Sequence, residues 1–164
     1  MIGVDTLRPN QLVQEVIESG CCELGALTEI QREVCYGREN KSRIDLLLQW
    51  ESGQLGYLEV KNVTLARDGL GLFPDAVTKR GAKHLAELSY MAQQGHRALI
   101  VFCVQRGDID QVQAAQEIDP VYAQSLREAV GWGVEPLALQ FDVRTDGIFF
   151  ERCLPVHVPD LGAI

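Results

Sequence analysis

Asp45, Glu59 and Lys61 are the residues whose types and spacing point most directly to chemistry. Two carboxylates and a lysine on one patch suit phosphodiester cleavage. Hard divalent cations such as Mg2+ or Mn2+ take carboxylate, carbonyl and water ligands. A cation held there acidifies a water and stabilises the charge that develops on the phosphate. The lysine orients or deprotonates the attacking water, or neutralises the transition state. The backbone carbonyl of Val60 adds an oxygen to Asp45 and Glu59 as metal ligands, and Glu15, on the first helix, is a further candidate acid.

A hairpin must position these side chains. Residues 43–50 and 55–65 read as strands joined by a turn at Glu51-Ser52-Gly53-Gln54. With the turn centred near Gly53, Asp45 lies opposite Lys61, and Glu59, two residues away, shares its face. Leu46, Leu48, Leu58 and Val60 fill the other face. The bland alternative is a solvated Glu–Lys pair, worth ~0.2–1 kcal/mol. Against it stands the apolar setting, YLEVKNV, in which a charged pair needs a reason.

The flanking pattern predicts a helix over 9–19, a strand over 29–36, a helix over 76–94 and a continuous apolar strand over 97–105. A helix opened by Asp119-Pro120 and strands over 134–143 and 147–154 follow. Residues 66–75 read as a loop, with Pro74-Asp75 a loop or helix-cap feature, and 155–164 as a tail. The fold class is α/β (α+β): one domain with a central mixed sheet flanked by helices.

The helix after the hairpin carries Lys79, Arg80, Lys83 and His84 on a broad polar face, over Leu85, Leu88 and Met91. These basic groups, with Arg43, are candidate DNA-phosphate contacts. The net charge of −8 disfavours nucleic acid globally, so the distribution matters. Residues 77–97 hold four basic residues against Glu87, while 108–160 hold ten acids against three arginines.

No apolar run approaches the ~20 residues of a membrane helix, and the first residues do not read as a signal peptide. The reading is a cytoplasmic protein with no membrane partner. The five cysteines show no CxxC pair and no zinc-module spacing, and are read as buried, reduced thiols.

The segments SRIDLLLQ, YLEVKNVTL, FPDAVTKRGAKHLAEL, RALIVFCVQR and IDPVYAQSLREA resemble the sugar fermentation stimulation protein A family. The resemblance extends to about Pro155. It implies a restriction-endonuclease-like PD-(D/E)xK core, with the motif on Asp45, Glu59 and Lys61, and Glu15 at the helix position where related nucleases often carry an acid. It also implies sequence-nonspecific DNA binding, a metal-dependent endonuclease or exonuclease activity, and a regulatory role in sugar (maltose) use. The alternative is a catalytically inactive DNA-binding, remnant or protein-interaction domain. Members of the family normally begin with an oligonucleotide-binding (OB) barrel. Residues 1–8 are read as the remnant of a link to that barrel, which is missing from the sequence. The oligomeric state is left open, a homodimer being one alternative.

Overall fold

The computed structural model describes residues 8–159. Most of the expected link, residues 1–7, and the last five residues of the expected tail lie outside the described residues. Three helices and ten strands follow in the order α1 (Arg8–Ser19), β1 (Leu27–Tyr36), β2 (Ser42–Trp50), β3 (Leu55–Val63), β4 (Leu65–Arg67), β5 (Leu70–Phe73), α2 (Lys79–Gln93), β6 (Arg97–Val104), β7 (Gln111–Ala114), α3 (Pro120–Gly131), β8 (Glu135–Arg144), β9 (Gly147–Leu154) and β10 (Val156–His157).

The central sheet runs β1-β2-β3-β6-β8-β9. Its middle strands β3, β6 and β8 are parallel, and its outer pairs are antiparallel. It is thus mixed, as expected. Strand β6 is buried at every position after Arg97 because both of its faces are covered. Ala98, Ile100, Phe102 and Val104 pack with Leu85 and Leu88 of α2 and Leu126 of α3. Leu99, Val101 and Cys103 pack with Leu12, Val13, Val16 and Ile17 of α1. Each fully buried leucine or isoleucine in these two cores contributes roughly 1.5–3 kcal/mol.

A second sheet, β10-β7-β5-β4, places β5 and most of β4 where a loop is expected, β10 where a tail is expected, and β7 where no element is expected. Its β4–β5 hairpin turns at Asp68-Gly69, both with positive φ (52° and 81°). That is the Asp-Gly signature of a tight hairpin. Strand β10, only two residues long, pairs in parallel with β7. Helix α2 begins at Lys79, not at 76. Thr78 is extended and is the N-cap, its side chain accepting from the Gly81 N–H at 2.9 Å. Asp75 instead accepts from the Thr64 hydroxyl.

The cysteines also depart from expectation. Only Cys103 is fully buried, while Cys21, Cys35 and Cys153 are exposed. Cys35 and Cys153 lie on β1 and β9, the two outermost strands of the central sheet, each of which pairs with a neighbouring strand of that sheet on one side only among the described residues. Among the described residues no helix is long and apolar enough to cross a membrane.

Candidate metal centre

The β2–β3 hairpin is closed by a three-residue loop. Trp50 N–H donates to the Gln54 carbonyl at 3.0 Å, Gly53 N–H donates to the Trp50 carbonyl at 2.9 Å, and Gly53 takes φ 88°. A type I turn followed by a left-handed glycine centres such a hairpin one residue earlier than Gly53. The register is therefore Gln49↔Leu55 through Leu46↔Leu58. Continued by one pair, it sets Asp45 level with Glu59, not with the expected Lys61. A slip of two residues preserves the face, so Glu59 and Lys61 keep their places on the α2 side.

Asp45 stands at a break in regularity. Leu46 packs in the α1-side core and Ile44 in the α2-side core. Both have even numbers, so regular alternation would leave them on one face. The β1–β2 ribbon must turn over between them. Opposite this point Glu33 has φ 52°, in the left-handed region. The β2–β3 ladder ends here, and the Asp45 carboxylate takes over. Its Oδ2 accepts the Val60 N–H at 2.7 Å, and its Oδ1 accepts from Asn10 Nδ2 of α1 at 3.0 Å. In an extended strand a residue's N–H and C=O point to the same side. The Val60 carbonyl is therefore directed toward the Asp45 side as well.

Glu59 is 4% exposed and forms a compact triangle with two basic side chains. Its Oε1 lies 3.3 Å from Lys61 Nζ and 3.0 Å from His84 Nδ1, and those two nitrogens are 3.2 Å apart. Its Oε2 is buried with no hydrogen-bond partner among the described residues. The hydroxyls of Tyr36 and Tyr122 are buried and without partners too. Burial, and then the Glu59 charge, push both phenols up. Burial also pulls the Glu59 pKa up, but His84 and Lys61 together outweigh it and hold the acid below its usual range. Asp45 moves the other way: burial first, then the Glu59 charge, raise it against the hydrogen bonds from Val60 and Asn10.

The other candidate residues are distributed differently. His84, expected on the polar DNA-facing side of α2, is buried beside Glu59. It shares the inward face with Leu88 and Met91, at helical spacings of four and seven. Lys79, Arg80 and Lys83 are exposed on α2, and Arg43 is exposed on β2. Glu15 is exposed on α1, and no hydrogen bond joins it to Asp45 or Glu59 among the described residues. At ~100° per residue it lies about 140° around the helix from Asn10. Among the described residues Asn10, not Glu15, is the α1 residue hydrogen-bonded to the cluster. Glu87, on α2, accepts the Arg38 N–H at 2.9 Å, and Arg38 lies over the Tyr90 ring at 5.0 Å. The β1–β2 loop is thereby docked on α2.

These features define a class: a mixed α/β domain, helices on both sheet faces, with a buried acid–lysine–histidine cluster between β3 and α2. The chain belongs to the sugar fermentation stimulation protein family. Residues 7–147 match the family model described as "Sugar fermentation stimulation protein RE domain". A sugar fermentation stimulation protein homolog of Pseudomonas syringae pv. syringae is 49% identical over 157 residues, covering 94% of this chain and 65% of that protein. The homolog of Thioalkalivibrio sulfidiphilus is 48% identical over 164 residues, covering 99% and 68%. The solved structure of Pyrococcus furiosus SfsA in complex with Ca2+ superposes with a TM-score of 0.87 at 30% identity, covering 94% of this chain and 66% of that one. The chain spans about two thirds of the length of these relatives.

Proposed function

We propose that this chain carries a nuclease-type divalent-cation site, and that it binds DNA without sequence specificity and hydrolyses its phosphodiester bonds. The observation that carries this reading is the buried Oε2 of Glu59, without a hydrogen-bond partner among the described residues, beside a second acid, Asp45, whose pKa burial and then the Glu59 charge push up. Two carboxylates that repel one another in a buried setting, with the Val60 carbonyl directed to the same side, form a donor set suited to a hard cation such as Mg2+ or Mn2+. The Pyrococcus furiosus relative, solved with Ca2+, supports the same class of ion.

When bound, the cation supplies Lewis-acid activation of a water and neutralisation of charge at the phosphate. The protein's part is positioning and electrostatics. Asn10 and the Val60 N–H orient Asp45. Lys61 holds a positive charge at the cluster, where it orients the attacking water and stabilises the anionic transition state. Lys79, Arg80 and Lys83 on α2, with Arg43 on β2, bind backbone phosphates. The relatives' name, sugar fermentation stimulation protein, supports stimulation of sugar fermentation as the physiological setting of this reading.

Nicking of supercoiled plasmid in Mg2+ or Mn2+ tests it. Wild type is expected to nick, EDTA to stop it, and Asp45→Ala with Lys61→Ala to lower the rate by ~10²-fold or more. Equal cutting by wild type and the double variant contradicts the enzyme reading. One observation favours a second reading, DNA binding without hydrolysis. Glu59 Oε1 is already engaged by two basic groups, and the described residues include no cluster of three or more metal-ligating side chains. That reading predicts salt-sensitive DNA retention that survives Asp45→Ala.

A further inference from the structure

Glu59 is the one acid in the cluster whose two oxygens are treated differently. Oε1 is held by Lys61 and His84, and Oε2 is left bare and buried. Lys61 sits two residues along the same strand, on a long and flexible stem. His84 differs. It comes from another element, is 8% exposed, and has a short side chain fixed by its place on α2. The placement of α2 is itself tightly set. Thr78 caps the helix and donates its own N–H to Asp119 at 2.8 Å. Gly81 allows close approach: a Cβ there would meet Thr78 Cγ2 at 2.7 Å and Tyr122 Cε2 at 3.1 Å. The imidazole is thus delivered to Oε1 by a rigid chain of contacts.

We infer that His84 is a positioning residue for Glu59, holding Oε1 so that Oε2 is the oxygen presented to a divalent cation. The inference rests on the cation reading given above. Without His84, Lys61 Nζ is, among the described residues, the one basic nitrogen left at hydrogen-bonding distance from Glu59. Lys61 is then free to move across both carboxylate oxygens and compete with the metal. Partners that orient a metal-binding carboxylate are worth 10–100-fold in metal affinity. The geometry also specifies which substitute works. In asparagine the amide nitrogen follows Cβ and Cγ, as Nδ1 does in histidine. In glutamine it lies one carbon further out.

Calorimetric titration of the full chain with Mn2+, at fixed pH and ionic strength, tests the inference. The variants are Glu59→Gln, His84→Ala, His84→Asn and His84→Gln, with melting in EDTA recorded for each. Ala and Gln at position 84 are expected to weaken Mn2+ binding 10–100-fold, and Asn to remain close to wild type. A purely structural role would follow the melting temperatures instead of this order. Wild-type affinity in His84→Ala, or Asn as weak as Gln, overturns the inference. If the Ala variant does not fold, the Asn–Gln comparison decides. Mn2+ binding that is equal in wild type and Glu59→Gln removes the cation reading at this site and the inference with it. Binding that depends on Glu59 but is indifferent to His84 overturns the inference alone.

Discussion

The Asp45 carboxylate accepts the Val60 N–H at 2.7 Å, one step beyond the last pair of the β2–β3 ladder. A side chain thus does what the neighbouring strand does elsewhere, and the acid is fixed to the backbone it shares a site with. Asp45→Ala leaves that N–H and the Asn10 amide without their acceptor. An orphaned buried donor costs ~1–3 kcal/mol, offset in part by relief of repulsion from Glu59. Asp45→Asn keeps one acceptor oxygen. Urea unfolding in EDTA is expected to rank Asp45→Ala below Asp45→Asn. Equal stabilities contradict the capping role.

The two acids also predict opposite pH slopes in the metal-free protein. Asp45 is held above its ordinary value of 3.8 by burial and then by Glu59, so the folded state binds this proton more tightly than the unfolded state. Its contribution to stability therefore falls as pH rises from the ordinary value through the folded pKa. Glu59 is held below its ordinary 4.5: His84 and Lys61 outweigh the upward pull of burial. Its contribution is fully present above 4.5 and is lost as pH falls through the folded pKa. Unfolding curves in EDTA from about pH 4 to 7 are expected to favour Asp45→Asn over wild type increasingly as pH rises. Glu59→Gln is expected to lose ground over the same climb. Parallel profiles contradict both assignments.

Asp119 joins two helix starts. Its Oδ1 accepts the Tyr122 N–H at 2.9 Å in α3, and its Oδ2 accepts the Thr78 N–H at 2.8 Å before α2. It is 3% exposed, so water does not replace it. Asp119→Ala removes both bonds at once and is expected to cost roughly 2–4 kcal/mol. Denaturant midpoints measure this, and a loss under about 1 kcal/mol contradicts the bridging role.

The exposed basic groups of α2 predict a salt effect. Replacing Lys79, Arg80 and Lys83 with Gln is expected to weaken DNA binding on every sequence tested. It also reduces the slope of log affinity against log salt by ~0.9 for each phosphate of duplex DNA that is no longer neutralised. Fluorescence anisotropy across a salt series reads this slope. An unchanged slope removes α2 from the DNA interface.

Much of this arrangement was legible before the fold. The apolar run of β6 announced a strand buried on both faces, and Asp119-Pro120 announced α3. The alternation in β3 put Glu59 and Lys61 on one face, a conclusion that survives the two-residue register slip. What escaped was set by tertiary pairing or by a signal passed over. Strands β7 and β10 are too short to show a period, and exist because they pair with each other and β7 pairs with β5. The β4–β5 hairpin did carry its Asp68-Gly69 signal. His84 was written into the helix phase, four residues before Leu88 and seven before Met91. The charges around it mask that phase and make it look like a surface residue. Asn10 had no acid to draw notice, and its role follows only from where α1 crosses Asp45.

The most direct test is a crystal of this chain soaked in Mn2+ and measured for anomalous scattering. One peak is expected, bound by Asp45, Glu59 Oε2 and the Val60 carbonyl, with His84 and Lys61 still on Oε1. A crystal with no peak at these oxygens, or with Mn2+ held only elsewhere on the surface, would contradict it.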